Sequence, residues 1–146
     1  MSTNHESTVQ PYLFFDGRCD EALDFYGQVL GAKVEFLMRF KDSPEPATCQ
    51  ADIDKNKVMH ASVRIGNTVF MASDGRCGGK PKFEGFGLSL NLTKETDADR
   101  FFAALEKGGQ VQMPLEKTFF SPRFGMVIDR FGVCWMIHVV RDGKLE

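Results

Sequence analysis

The sequence predicts an α+β fold of two βαβββ modules, their mixed sheets curled around a cleft with the helices on the outer faces. Three observations predict it. Apolar residues recur at spacings of three and four in two places: Ala22, Leu23, Phe25, Tyr26, Val29 and Leu30, then Ala98, Phe101, Phe102 and Leu105. Each stripe holds an aromatic pair and is followed by glycine and a short polar step into Val34 or Val111. Each half then closes with a hairpin pivoting on a glycine, Gly66 or Gly132. Identity between the halves is low, so the shared order of elements carries the duplication.

The elements follow in order. Val9–Phe15 is an apolar, aromatic strand ending at the turn Asp16-Gly17. Asp20 is placed to cap the first helix, and Gly31 ends it as a C-cap glycine. Val34–Phe40 is a strand. Lys41–Lys57, with two prolines and many charges, reads as a mobile loop over a cleft. Val58–Ile65 alternates, and Gly66-Asn67 turns it into Thr68–Ser73. Residues 75–85 read as a linker, residues 1–8 as a flexible tail and residues 141–146 as another. The first module covers about 9–74 and the second about 86–140. In the second, Phe86–Thr93 alternates, Thr96 or Asp97 caps a helix, and Gly108-Gly109 closes it. Val111–Thr118 contains Pro114 and so belongs near a sheet edge. Phe124–Asp129 and Val133–Val140 form the last hairpin.

Composition narrows the function. A chain of 146 residues fits one domain. The net charge of −2, with no stripe of Lys and Arg, gives no reason to expect nucleic acid. No run of about 18 apolar residues could span a membrane, and Met1–Thr8 lacks the apolar core of a signal peptide. Cys19, Cys49, Cys77 and Cys134 show no metal-knuckle spacing, so a reduced, cytoplasmic protein with free thiols is expected. Cys134 reads as a small core residue, and the other three sit in turn or loop contexts. The 14 phenylalanines are expected mainly in the core, with an aromatic pocket or a subunit contact as the alternative.

Each helix has to bury its stripe against one face of its own sheet, which frees the opposite face. His60, Ser62 and Arg64 alternate with Met59, Ala61, Val63 and Ile65; Ser89 and Asn91 alternate with Leu88, Leu90 and Leu92. His138 shares a face with Met136 on the last strand. Curling the sheets would turn these residues towards a cleft of mixed polarity, the usual form of a small-molecule site. The candidate ligand-binding residues are therefore His60, Ser62, Arg64, Ser89, Asn91, Met136 and His138. The plainer alternative is that they face bulk water. His60 and His138 could serve as acid–base groups, or hold a metal with Asp74 or water; they could equally be structural. His5 lies in the tail. Arg64 and Arg123 could hold an anion or simply be ion-paired. Asp74 and Asp129 lie at turns, where Asp satisfies backbone amides.

These residues resemble a known family. Gln10–Gly17 with Glu21–Tyr26 is similar to the opening of PhnB-like proteins. Val58–Ser62 followed by Met71–Asp74 resembles their middle segment, and Phe124-Gly125, Asp129–Val133 and Trp135–Ile137 resemble their ending. The resemblance spans about residues 9–140. It implies membership of the vicinal oxygen chelate superfamily, with glyoxalase I, bleomycin- and fosfomycin-resistance proteins and extradiol dioxygenases. It also implies paired βαβββ modules and a homodimer. The group is also labelled a 3-demethylubiquinone methyltransferase, but no glycine-rich nucleotide loop opens a helix here. Metal-dependent members carry His or Glu on the first and closing strands of each module. Counting from the helix aromatic pairs and hairpin glycines puts those positions near Pro11, Gly87, Phe70 and Met136. None of these, nor their immediate neighbours, is His, Asp, Glu or Cys.

The expectation is a PhnB-like protein that binds a small molecule without the usual metal and with no cofactor. A divalent metal displaced to His60 and His138 stays open. One alternative is a glyoxalase-, dioxygenase- or resistance-type enzyme with such a metal or a histidine acid–base group. Another is a structural homodimer with a vestigial cleft. No reaction is assigned.

Overall fold

The computed structural model describes residues 7–44, 54–75 and 80–141. The chain divides into two units, Met1–Pro81 and Lys82–Glu146, and each is described by itself.

The first unit runs β1 (Tyr12–Phe14), α1 (Cys19–Leu30), β2 (Lys33–Arg39), a 3-10 turn at Phe40–Asp42, β3 (Val58–Ile65) and β4 (Thr68–Ser73). Its sheet order is β1-β4-β3-β2, with β1 parallel to β4 and the other pairs antiparallel. Strand β1 is shorter than the apolar run suggests. Pro11 has no N–H to give the ladder, although its carbonyl accepts the Met71 N–H. Gly31 ends α1 at φ 70°, and the cap's N–H bonds to the Tyr26 carbonyl as expected. Part of the expected 41–57 loop, residues 45–53, lies outside the described residues, as do 76–79 of the linker and 1–6 and 142–146 of the tails.

The cap of α1 differs from the sequence expectation. Arg18 occupies the N-cap position and makes no side-chain cap bond; Asp20 is inside the first turn. The capping is done from β4's end. Asp74 Oδ1 accepts the Gly17 and Cys19 N–H groups at 2.8 Å each, and Oδ2 accepts the Val58 N–H at 3.0 Å. Local sequence hides this because the capping side chain is more than fifty residues from the helix it caps. Asp20 is thereby free to take Arg39 on both oxygens, at 2.8 and 2.9 Å.

The hydrogen bonds from Arg39 hold the Asp20 carboxyl below the usual carboxylate range, against an opposing effect of partial burial. A carboxylate depressed in the folded state stabilises above its unfolded pKa, near 3.9. That contribution is lost as pH falls through the lower, folded value. Because both partners are partly exposed, Asp20→Asn is expected to cost only about 0.5–1 kcal/mol at neutral pH. In urea titrations its difference from the parent should close as pH drops below about 4.

The second unit runs β5 (Leu88–Leu92), α2 (Glu95–Glu106), β6 (Gln110–Glu116), β7 (Phe124–Ile128) and β8 (Cys134–Val139). Its order, β5-β8-β7-β6 with β5 parallel to β8, repeats that of the first sheet strand for strand. The repeated topology is the duplication that the helix stripes and hairpin glycines foretell. Strand β6, carrying Pro114, lies at the sheet edge as expected. Helix α2 starts after Lys94, so Thr96 and Asp97 fall in its first turn instead of capping it.

In each unit one sheet face packs under the helix. Leu13, Ala61, Val63, Phe70 and Ala72 are buried with Tyr26, whose ring meets those of Phe15 and Phe70. Phe102, Leu105, Val127, Trp135 and Ile137 do the same in the second unit. Burying a side chain of this size fully is worth about 1.5–3 kcal/mol. Asp129 clasps the last hairpin: Oδ1 accepts Phe131 and Val133 N–H, and Oδ2 accepts the Trp135 indole N–H at 2.9 Å. Asp74 and Asp129 thus satisfy backbone amides, as their turn positions suggest.

Two cysteine expectations change. Cys19 is not in a loop but is the first residue of α1, and it is fully buried. Cys134 is not a core residue. Trp135 takes the helix-packed side of β8, so alternation leaves Cys134 half-buried on the other side.

Candidate functional site

The face of each sheet turned away from its helix is where the candidates fall. Strand pairing shows which side chains share it, because directly paired residues point the same way. In the first sheet, Tyr12 pairs with Met71, Met71 with Ser62, Ser62 with Phe36 and His60 with Met38. Arg64 belongs to the same face. In the second sheet, Ser89 pairs with Met136 and Asn91 with His138; Met136 pairs with Met126, His138 with Phe124, and Met126 with Met113. All seven candidate residues therefore lie on helix-free faces, three in one unit and four in the other.

Those faces are more aromatic and richer in methionine than the expected polar lining. Ordinary alternation puts Tyr12, Met71, Phe124 and Met126 there, and a β-bulge in each edge strand adds to them. Val34 pairs with the core residue Val63, yet Phe36, two residues on, pairs with Ser62. One extra residue reverses the alternation. Phe36 and Met38 thus join His60, and the bulged Glu35 pairs with Arg64 at 2.6 Å. A matching shift between Val111 and Met113 turns Met113 onto the helix-free face of the second sheet. Tyr12 and Phe36 remain 39% and 49% exposed. Phe119 and Phe120 are also exposed, so a good share of the phenylalanines sits outside the core.

His60 is the centre of the first patch. Its Nδ1 lies 2.8 Å from the Tyr12 hydroxyl, and its ring lies 5.6 Å from Tyr12 and 6.0 Å from Phe36. Tyr12 stacks on Phe14 at 4.9 Å. Burial, with a smaller push from Cys19 and a Ser73 contact opposing, raises the Tyr12 hydroxyl above its ordinary range. Tyr12 therefore keeps its proton and presents a neutral O–H. His138 centres the second patch. Its Nδ1 lies 3.2 Å from Asn91 Oδ1, which also accepts from Ser89 Oγ at 3.0 Å, and Phe120 and Phe124 flank the ring.

The other candidates are engaged. Arg64 is held by Glu35 and Arg123 by Asp99. Asp74 has both oxygens on backbone N–H groups and is 5% exposed, which removes it as a partner for a histidine-bound metal. Burial, then the charges of Asp74 and Asp20, raise the Cys19 thiol far above its ordinary range, with Arg39 opposing. Burial and Asp129 raise Cys134. Neither is an activated nucleophile. Cys49, Cys77 and His5 lie outside the described residues.

The metal positions also need a correction of register. Phe70 is on the helix-packed face; its neighbour Met71 is on the free face. The first hairpin turns through two residues, Gly66-Asn67, whereas five residues separate the paired Ile128 and Cys134. Counting from the glycine is therefore one residue short in the first unit. The strand partners that truly correspond are Tyr12 with Met71 and Ser89 with Met136. This set, and Gly87 beside it, does not fit a divalent ion. Among the described residues no three of His, Cys, Asp and Glu converge on a metal-holding cluster. The Asp16-Gly17-Arg18 step into α1 holds a single glycine and is not a glycine-rich nucleotide loop.

Comparison with known proteins agrees with this fold. A family model described as 3-demethylubiquinone-9 3-methyltransferase matches residues 7–138. The chain is 34% identical to protein YjdN of Escherichia coli, over 92% of this chain and 96% of that one. It is similar to the crystal structure of PA1353 from Pseudomonas aeruginosa at 43% identity and TM-score 0.81, covering 94% of this chain and all of the other. A PhnB protein from Bacillus cereus shares the fold at 24% identity and TM-score 0.74, over 92% of this chain and all of that one.

Proposed function

The chain belongs to the PhnB-like family, the 3-demethylubiquinone-9 3-methyltransferase-like branch of the glyoxalase/bleomycin-resistance/dioxygenase superfamily, and from that premise we propose that it binds a compact aromatic molecule through its own side chains. The single observation that carries this reading is the patch at His60. A neutral Tyr12 hydroxyl and an imidazole lie within hydrogen-bond reach of each other between exposed Tyr12 and Phe36 rings. Flat apolar rings with one or two convergent polar groups are what a small aromatic ligand needs. Methionines Met38 and Met71 border the patch and can adjust to the ligand's outline. Arg64, already held by Glu35, adds little net charge, which favours a neutral ligand over an anion.

The reading requires no metal, because the positions that would carry one offer Tyr12, Met71, Ser89 and Met136. A ligand-detected NMR screen with neutral bicyclic aromatics such as indole and quinoline tests it. Hits are expected to bind the parent and to lose at least tenfold in affinity in Phe36→Ala and in His60→Ala. Equal affinity in both variants would place the ligand elsewhere.

A further inference from the structure

The two histidine patches differ in one chemical respect. At His60 the partner is a hydroxyl, which can donate or accept, so either imidazole tautomer is served. At His138 the partner is the carbonyl oxygen of Asn91, which can only accept. With the amide in this orientation, the tautomer that can bond to it is the one protonated on Nδ1. A neutral imidazole carries one N–H, so Nε2 is left with a free lone pair.

From this we propose that Ser89, Asn91 and His138 form a relay that sets His138 as a hydrogen-bond acceptor for a phenol-type ligand. The backbone builds the relay. Asn91 and His138 are direct partners in the parallel β5–β8 pairing, and Ser89 is two residues before Asn91 on the same face. Ser89 Oγ donates to Asn91 Oδ1 at 3.0 Å and steadies the amide in the orientation that accepts from His138. The acceptor is set among rings. Phe124 is His138's partner across β7–β8, 5.9 Å away at 74°; Phe120 stands 6.0 Å away at 61°. Phe120 is held by its turn. Thr118 Oγ1 accepts the N–H groups of Phe120 and Ser121, and the hydroxyl of buried Ser121 lies within hydrogen-bond reach of the Val139 carbonyl at 2.6 Å and the Arg123 carbonyl at 2.8 Å, with one proton to give. Phe120 is nonetheless 41% exposed, so apolar ring surface is available beside the acceptor. A flat aromatic body with one donating hydroxyl matches that combination, and a molecule lacking the hydroxyl leaves Nε2 unanswered. The proposal concerns the second unit alone and does not rest on the His60 reading.

The test uses the full chain labelled with 15N, with p-cresol as probe and 4-methylanisole, its methyl ether, as control. Long-range 15N–1H spectra are expected to show His138 protonated on Nδ1. Titration with p-cresol should shift the Nε2 resonance, with affinity at least tenfold above that for 4-methylanisole. His138→Phe, which keeps a flat ring, should abolish the preference. Asn91→Leu, which removes the acceptor oxygen, should mix the tautomers and weaken it. The proposal is overturned if His138 is protonated on Nε2, if p-cresol and its ether bind alike, if neither binds, or if His138→Phe keeps the preference. Failure of the indole and quinoline screen at His60 would leave these outcomes unaffected.

Discussion

Replacing Asp74 with alanine is expected to lower stability by about 3 kcal/mol or more, the combined loss of hydrogen bonds to a charged acceptor. The carboxylate is 5% exposed and receives three backbone N–H groups, from Gly17, Cys19 and Val58. Alanine would leave those donors facing a small buried void with no acceptor. Asp74→Asn is no remedy, because its amide nitrogen has to face at least one backbone N–H. The loss corresponds to a fall in Tm of roughly 6–12 °C for a chain of this size. A urea unfolding curve compared with Asp20→Asn checks it: Asp20 contacts a partly exposed partner and should cost several-fold less. A Tm within about 2 °C of the parent would mean that water replaces the carboxylate and that the clasp adds little.

Gly109→Ala is expected to be as damaging, for a steric reason. A Cβ at this position would stand 2.1 Å from the Ile128 carbonyl oxygen and 3.0 Å from the Asp129 backbone. These are main-chain atoms of the neighbouring strand and turn, so no side chain can swing aside. The start of β6 would have to separate from β7, at a cost of about 3 kcal/mol or more. The disturbance would reach the Asp129 clasp. Trp135 is the single tryptophan and its indole N–H is bound to Asp129, so its fluorescence reports the event directly. A red-shifted, more quenchable emission is expected; an unchanged spectrum and unchanged unfolding midpoint would show that the hairpin adapts.

Much of the fold was legible in the chain because it depends on local periodicity. The stripe from Ala22 to Leu30 and that from Ala98 to Leu105 predict the helices; the alternation at Val58–Ile65 predicts β3 to the residue. Pro114 predicts an edge. The candidate site was legible only in part. Period-two alternation places His60, Ser62, Ser89 and Asn91 on a common kind of face. It cannot show that Phe36 joins them, because that depends on a bulge between Val34 and Phe36, and a bulge is a property of the pairing of two strands. The same limit hid Met113. Asp74's role as cap of α1 was hidden because donor and acceptor are distant in sequence. Phe70 was misplaced because two hairpin turns of different length share a glycine.

The expectation of a polar lining changed for the same reason. Polar residues stand out in an alternating strand, whereas Tyr12, Phe14, Met38 and Met71 read as ordinary apolar content until the sheet register shows which way they point. That register turns the candidate site from a polar cleft into a histidine set among rings and thioethers.

The central claim is that the helix-free face of the first sheet, around His60, is the binding surface. Methionine-methyl and alanine-methyl 13C spectra recorded during a titration with indole test it most directly. Met38 and Met71 lie on that face, whereas Ala61 and Ala72 are fully buried beneath α1. Saturable shifts are expected at Met38 and Met71, with Ala61 and Ala72 still, and both methionine shifts should vanish in Phe36→Ala. Shifts confined to methyl groups elsewhere, or persisting unchanged in Phe36→Ala, would contradict the account.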